Sequence, residues 1–439
     1  MSTDHDNTKK PDALELGTND VNESYSIENI GNPIYLKTMD PILFPDLSEK
    51  FNPLNTSDNT EALRRFYELD IKYNMMSRKI ECHADGKNFS LQNKNDCFFT
   101  HVSNLCVRNR VPKADLSSHL VYIADQHRYH PAIDWIESKP WDGIDRIKDF
   151  VNTITTENQE DSNKLLYRWM IGCIAALYTP GGVSLEGMLV VQGEQKIGKS
   201  YWFINLVPKE QRHLIIDGEA INSADKDDVN RVTSRWLVEL AELKSTIAKS
   251  SVEDFKRFIT RSTDTYRKPF GRNDSDFPRM TSLYSSVNDP EFLVDPTGNR
   301  RFWCISATHI NHSHGMNMQQ VWAQFKRDWD NGENHKLTQD EQDIVNENNP
   351  SFTTIDPLEE AILDAFNWGD PNRNYPMTAS AVLEKVGITL ISSQMPSYSK
   401  RVGLLLRKIT KTKSRKSNGK KVFDMPFCYN NKRTDFVSM

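Results

Sequence analysis

The run Gly193-Glu194-Gln195-Lys196-Ile197-Gly198-Lys199-Ser200 constrains this chain more than any other stretch. It satisfies the phosphate-loop pattern G-x-x-x-x-G-K-[ST] at every position. It also stands between an apolar strand pattern, GMLVVQ, and a helical one, YWFINLV. Glycines let a backbone wrap closely around phosphate oxygens while successive N–H groups donate to them. The helix that follows turns the positive end of its dipole toward the anion. Lys199 is placed to reach the outer phosphates of a nucleoside triphosphate, and the Ser200 hydroxyl to ligate Mg²⁺. Tyr201 is the next nucleotide-binding candidate in line. An ordinary glycine-containing turn would carry some of these residues, but strand, loop and helix in this order favour the phosphate reading, with ATP and Mg²⁺ as the expected ligands.

A hydrolase also needs a carboxylate near the metal and a group that orients water. RWLVELAEL supplies two candidates at a strand end, Glu239 and Glu242. The bland alternatives are a solvent-facing edge residue and a surface turn. Asn288 ends a second apolar strand, TSLYSSVN, where a polar group can sense the outermost phosphate; Asn288-Asp289-Pro290 is equally good turn chemistry. Arg300 and Arg301 follow in GNRRFW, as candidate arginine fingers, nucleic-acid contacts or partners of nearby aromatics.

The chain has 439 residues, enough for two or three units. Residues 1–54, rich in Asn, Asp, Ser and Thr, are expected to be disordered. Residues 55–140 suggest a small α+β module, with helical spacing in EALRRFYELDI and ADLSSHLVYIADQH and a strand–turn–strand in IKYNMMSRKIEC. From 141 to 330 strands and helices alternate, which implies an α/β sheet covered on both faces. LLYRWMIGCIAALY is a strongly apolar helix there. SSVEDFKRFITRS is amphipathic, with Ser250 and Glu253 as a capping box. Residues 331–353 suggest a polar helix and linker. Residues 354–439 suggest a separate unit of two helices, TASAVLEKVGI and SYSKRVGLLLRKI, and a hairpin turning at Asn418-Gly419, an order that points to a winged helix-turn-helix.

Net charge is −5, but from Ser397 onward twelve cations face two acids, leaving that tail near +10. Lys400, Arg401, Arg407, Lys408, Lys413, Arg415, Lys420 and Lys421 are the candidate nucleic-acid contacts. The six cysteines form no CxxC pair, so a disulfide framework is not expected. Cys82, His83, Cys97, His101 and Cys106 lie close in sequence, yet their spacing fits no standard zinc pattern. With no apolar run near bilayer length and a polar N-terminal segment, no membrane association and a cytoplasmic location are expected.

Taken together and in order, YHPAIDWIESKPWDGIDRI, GEQKIGKS, RWLVELAEL, FKRFITRSTDTYRKPFGR and DPTGNRRFW resemble the virulence-associated protein E family of phage- and mobile-element ATPases, related to superfamily three helicases. The resemblance runs from about Tyr129 to Trp329. It implies a P-loop NTPase core of the AAA+ or superfamily three helicase-like kind, assembled as a hexameric ring, working on single-stranded or forked DNA during replication in a bacterial host's cytoplasm, with other replication proteins as partners. By position, it implies that Glu239 and Glu242 form the acidic pair, that Glu239 joins Ser200 at the metal, that Asn288 is the sensor, and that Arg300 or Arg301 is a finger acting on a neighbour's ATP. Arg267, Lys268 and Arg272 resemble a basic segment that contacts phosphate or DNA. One departure is Ala241: where many such ATPases have adjacent acids, Glu239 supplies the first carboxylate two residues earlier on the same strand face. The function implied is an ATP-dependent DNA helicase or replication-initiation ATPase. The alternative is an ATPase switch that regulates DNA-bound assembly or anti-phage defence without unwinding.

Overall fold

The computed structural model describes residues 37–90, 92–241, 243, 252–266, 274–293, 299–354, 357–369, 375–388 and 395–426. Glu242, Ser250, Arg267, Lys268, Arg272 and the segment 427–439 lie outside them. The chain has a mixed α/β fold and divides into two compact units, one of residues 1–73 and 80–128, the other of residues 74–79 and 129–439.

In the first unit, α1 (Ser57–Phe66) starts where the Thr56 hydroxyl accepts from the Asn59 N–H, and it buries Leu63. The hairpin strands β1 (Asp70–Asn74) and β2 (Lys79–His83) follow, then α2 (Lys94–Arg108) and α3 (Leu116–Gln126), and β3 (Arg128–Tyr129) joins β1 in the order β2-β1-β3. Phe98, Val102 and Leu105 on α2, at helical spacing, meet Leu116, Leu120 and Ile123 on α3 in one core. Cys82 and Cys106 lie in that core, where burial pushes their thiols up to about 12 and about 11; they pack as small apolar groups. Composition predicts no structure before residue 55, but Met39 and Phe44 are buried in the same core and the Met39 N–H donates to Asn109 Oδ1 at 2.8 Å. Two large apolar side chains outweigh the polar context there.

The second unit begins with α4 (Pro131–Ile136), α5 (Ile147–Val151), β4 (Ile154–Thr156) and α6 (Gln159–Tyr178). Then come β5 (Met188–Gln192), α7 (Lys199–Ile204), β6 (Ile215–Glu219), α8 (Lys226–Val232), β7 (Leu237–Leu240), α9 (Val252–Thr260), the hairpin β8 (Thr263–Tyr266) and β9 (Ser275–Pro278), β10 (Ser282–Val287) and β11 (Phe302–Ile310). The main sheet runs β4-β11-β5-β10-β7-β6, with β4 antiparallel and the other five strands parallel. Strand β10 therefore lies between the loop-bearing β5 and the acid-bearing β7, so the chain crosses over to make β7 before returning to fill the gap. Alternation along β5 serves two cores: Leu189 and Val191 face α6, α7 and the helix α10 (Met318–Asp330), while Met188 and Val190 face α8 and α9.

Residues 331–353, expected as linker, are packed. They form α11 (Gln339–Asn348) and a 3₁₀ turn (Asn349–Phe352), with Val345 buried in the first of those cores and Phe352 in the second. The C-terminal elements are α12 (Pro357–Ala365), β12 (Tyr375–Met377), α13 (Ala379–Lys385), α14 (Met395–Thr410), β13 (Arg415–Ser417) and β14 (Lys420–Met425). A three-stranded sheet, β12-β14-β13, closes over a core of Ile362, Val382, Val402, Leu406 and Phe423. Asn418 and Gly419 turn the β13–β14 hairpin with φ of 46° and 73°, the left-handed pair that a two-residue turn requires. No helix among the described residues is long and apolar enough to cross a membrane.

Candidate functional site

The loop Gly193–Gly198 leaves the end of β5 and enters α7, with Lys196 at a φ of 73°. Its glycines have steric reasons. A Cβ on Gly193 would fall 2.6 Å from the Ala307 carbonyl oxygen and 2.6 Å from Ile197 Cδ1. Gly198 combines a φ of +97° with a site where a Cβ would meet His312 Cδ2 at 2.4 Å.

Lys199 is the first residue of α7 and is 7% exposed. Its ammonium donates to Gly193 O at 2.8 Å, Glu194 O at 2.6 Å and Asn288 Oδ1 at 2.8 Å. All three acceptors are neutral, and burial holds the ammonium below its ordinary pKa. Among the described residues no carboxylate pairs with it.

Beside it, Ser200 Oγ donates to Glu239 Oε1 at 3.2 Å and shares a 3.1 Å hydrogen bond with Ser286 Oγ, which itself donates to Glu239 Oε1 at 2.5 Å. Glu239 is 5% exposed, and no cation among the described residues neutralises it. The cluster is held from behind by rings. Phe203 of α7 stacks on Tyr284 of β10 with centroids 3.9 Å apart, and Trp169 of α6 packs edge-on against both. That box fixes α7 against β10, and the pairing Tyr284↔Glu239 fixes the height of the carboxylate.

Four of the sequence candidates thus come together: Lys199, Ser200, Glu239 and Asn288. Ser286 joins them unannounced. Its signal was the period of two in SLYSSVN, which puts Tyr284, Ser286 and Asn288 on one face. Arg300 and Arg301 do not join them. They lie in the 3₁₀ turn Asn299–Arg301, just before Phe302, which pairs with Met188 at the start of β5. The loop leaves β5 from its other end, four residues on, about 13 Å along the strand.

An anionic ligand suits this arrangement. A buried ammonium without a counter-charge gains an ion pair from phosphate, and a buried carboxylate facing a hydroxyl suits a divalent cation that takes its other ligands from phosphates and water. No cluster of three or more His, Cys, Asp or Glu that could hold a metal by itself occurs among the described residues.

In the C-terminal elements the basic candidates divide. Lys408 pairs with Glu359 at 2.7 Å and Arg415 with Asp424 at 2.8 Å, so these two are engaged within the fold. Arg401 lies over the Tyr398 ring at 5.9 Å. Lys400, Arg407, Lys413, Lys420 and Lys421 are exposed on α14, on the segment after it and on β14.

The fold and the loop-bearing sheet define a mixed α/β protein with a buried, charge-separated cluster at one end of its parallel strands. Residues 136–354 match the family model of the virulence-associated protein E-like domain, and through that domain the chain belongs to the virulence-associated protein E-like family. Among solved structures, the A form apo structure of the NrS-1 C-terminal region is similar at 11% identity and a TM-score of 0.44, covering 84% of this chain and 98% of that one. The apo structure of NrS-1 residues 305–718 gives 11% identity and a TM-score of 0.41, covering 83% and 97%. No curated protein matches the chain.

Proposed function

We propose that this protein is an ATPase of phage or mobile-element replication whose core is a P-loop NTPase domain, acting on DNA as a helicase or initiation factor. The observation that carries the reading is the buried Lys199 ammonium with neutral acceptors only, beside the Ser200–Glu239–Ser286 cluster. In this reading the backbone of Gly193, Glu194, Gln195, Lys196, Ile197 and Gly198 wraps the phosphates and Lys199 exchanges its carbonyl partners for phosphate oxygens. Ser200 and Glu239 would hold Mg²⁺, which supplies charge neutralisation on the phosphates when bound. Asn288 already reaches Lys199, so it sits where the outermost phosphate and the attacking water would be positioned. Glu242, outside the described residues, is the proposed second acid.

Arg300 and Arg301 lie at the far end of the sheet from their own loop, and a neighbouring copy would offer them to the next copy's nucleotide, in a ring of six or a similar number. The order helix, helix, hairpin at residues 379–425 supports a winged-helix unit, and its exposed cations would contact the DNA backbone. The test is DNA-stimulated ATP hydrolysis by the full chain and by Lys199→Ala. Loss of about 100-fold or more is expected, as for removal of one dominant electrostatic contact. Hydrolysis unchanged in that variant would sink the reading. Vigorous hydrolysis with no strand displacement on a forked duplex would instead favour an ATP-driven switch over a helicase.

A further inference from the structure

Beside the loop stands a pair of rings, those of Tyr201, a nucleotide-binding candidate by its place in the sequence, and of His312. Tyr201 follows Ser200 and is 67% exposed, an unusual position for a large aromatic side chain on a short helix that otherwise faces the core. Its ring meets that of His312 with centroids 5.8 Å apart and planes inclined by 37°. His312 comes two residues after β11 ends and is fixed in place: its carbonyl accepts from Asn205 Nδ2 at 2.8 Å, its Nδ1 shares a 3.0 Å hydrogen bond with Ser313 Oγ, and its ring covers Gly198 so closely that no Cβ fits between them.

The position of this pair in the sheet gives it a role. Strand β5 has β10 on one side and β11 on the other. Asn288, Ser286 and Glu239 all belong to the β10–β7 side, where Lys199 reaches Asn288 and Ser200 reaches Ser286 and Glu239. The outer phosphates of a bound nucleotide would lie where those charges are matched, so the nucleoside must leave the loop by the other side. That is the β11 side, where His312 and Tyr201 stand.

We propose that Tyr201 and His312 form the ledge on which the base of the bound nucleotide stacks. The proposal rests on reading Gly193–Ser200 as the triphosphate loop. Stacking on an aromatic ring is tolerant of base identity, so the ledge contributes affinity for a nucleoside over bare phosphate and does not by itself select among bases.

Calorimetric titration of the full chain with Mg²⁺-ADP and with Mg²⁺-tripolyphosphate tests this. In Tyr201→Ala and in His312→Ala, ADP binding is expected to weaken by about tenfold or more, the effect of removing one stacked ring, while tripolyphosphate binding stays at the wild-type level. Tyr201→Phe should bind ADP as the wild type does. Because Tyr201 is exposed, its removal leaves the core intact and the result interpretable. Unchanged ADP affinity in both alanine variants overturns the ledge. So does a parallel loss of ADP and tripolyphosphate, which would mark the rings as mere supports of the loop. A wild-type chain that binds neither compound fells the loop reading and the ledge with it, a pattern distinct from the other two.

Discussion

Two buried cations in the second unit have opposite surroundings, and the difference separates structure from chemistry. Arg279, 3% exposed, gives Asp264 two hydrogen bonds, at 3.1 and 2.5 Å, and donates to the Phe258 carbonyl as well. Burial holds its guanidinium below the ordinary value, and the Asp264 carboxylate works against that. Lys199 is nearly as buried and has no such partner. Arg279 is thus satisfied by the fold, whereas Lys199 meets neutral acceptors alone, the environment that the proposed phosphate ligand would complete. Removing one member of a buried pair strands the other charge, so Asp264→Ala should lower the stability of the second unit by about 3–5 kcal/mol. The double variant Asp264→Leu/Arg279→Met removes both charges and should lose less than the single one. Denaturant unfolding followed by tryptophan fluorescence measures both; equal losses would mean that the pair is not what holds the base of the β8–β9 hairpin.

Helix α11 shows how a polar sequence becomes part of a core. The Thr338 hydroxyl accepts from the Glu341 N–H, and the Glu341 carboxylate accepts from the Thr338 N–H, a complete capping box. The same carboxylate takes Nε of Arg168 on α6 at 2.9 and 3.0 Å. Thr338→Ala should therefore cost about 1 kcal/mol, the worth of a cap. Glu341→Ala loses charge-assisted bonds on two sides and should cost about 2–3 kcal/mol, again read from the unfolding midpoint. The helical start was legible in Thr338 and Glu341 themselves. The packing was not, because Val345 and Phe352 are isolated apolar residues in a polar run, and only the tertiary fold shows that each has a core to enter. A similar division holds for the site. Strand, loop and helix around Gly193–Ser200 were readable because glycine pattern and apolar period are local. The insertion of β10 between β5 and β7 was not, since nothing local in TSLYSSVN says which strands flank it. The ring of His312 over Gly198 escaped for the same reason: more than a hundred residues separate two positions that touch.

Across the whole molecule, the parallel sheet has a direction, and that direction distributes the site. Lys199, Ser200, Glu239 and Asn288 gather toward the ends at which β5, β7 and β10 finish, while Arg300 and Arg301 precede the beginning of β11. One copy therefore presents its loop at one end of the sheet and its arginines at the other. In the proposed ring, a head-to-tail contact between copies, repeated until the rotation closes, would bring unlike ends together at every interface. Such an assembly makes a sharp prediction for mixtures. Arg300→Ala/Arg301→Ala keeps an intact loop and should hydrolyse ATP about a thousandfold more slowly than the wild type, the scale of a lost arginine finger; Lys199→Ala keeps intact arginines and should be slower by about 100-fold or more. Mixed in equal amounts and allowed to assemble, about one interface in four joins an intact loop to intact arginines, so hydrolysis should return to about a quarter of the wild-type rate. Steady-state turnover of the mixture, with mixed assemblies verified by differently tagged subunits, measures this. Mixed assemblies that form yet stay as inactive as their components would place the arginines outside the neighbour's site and leave the loop to complete its chemistry within one copy.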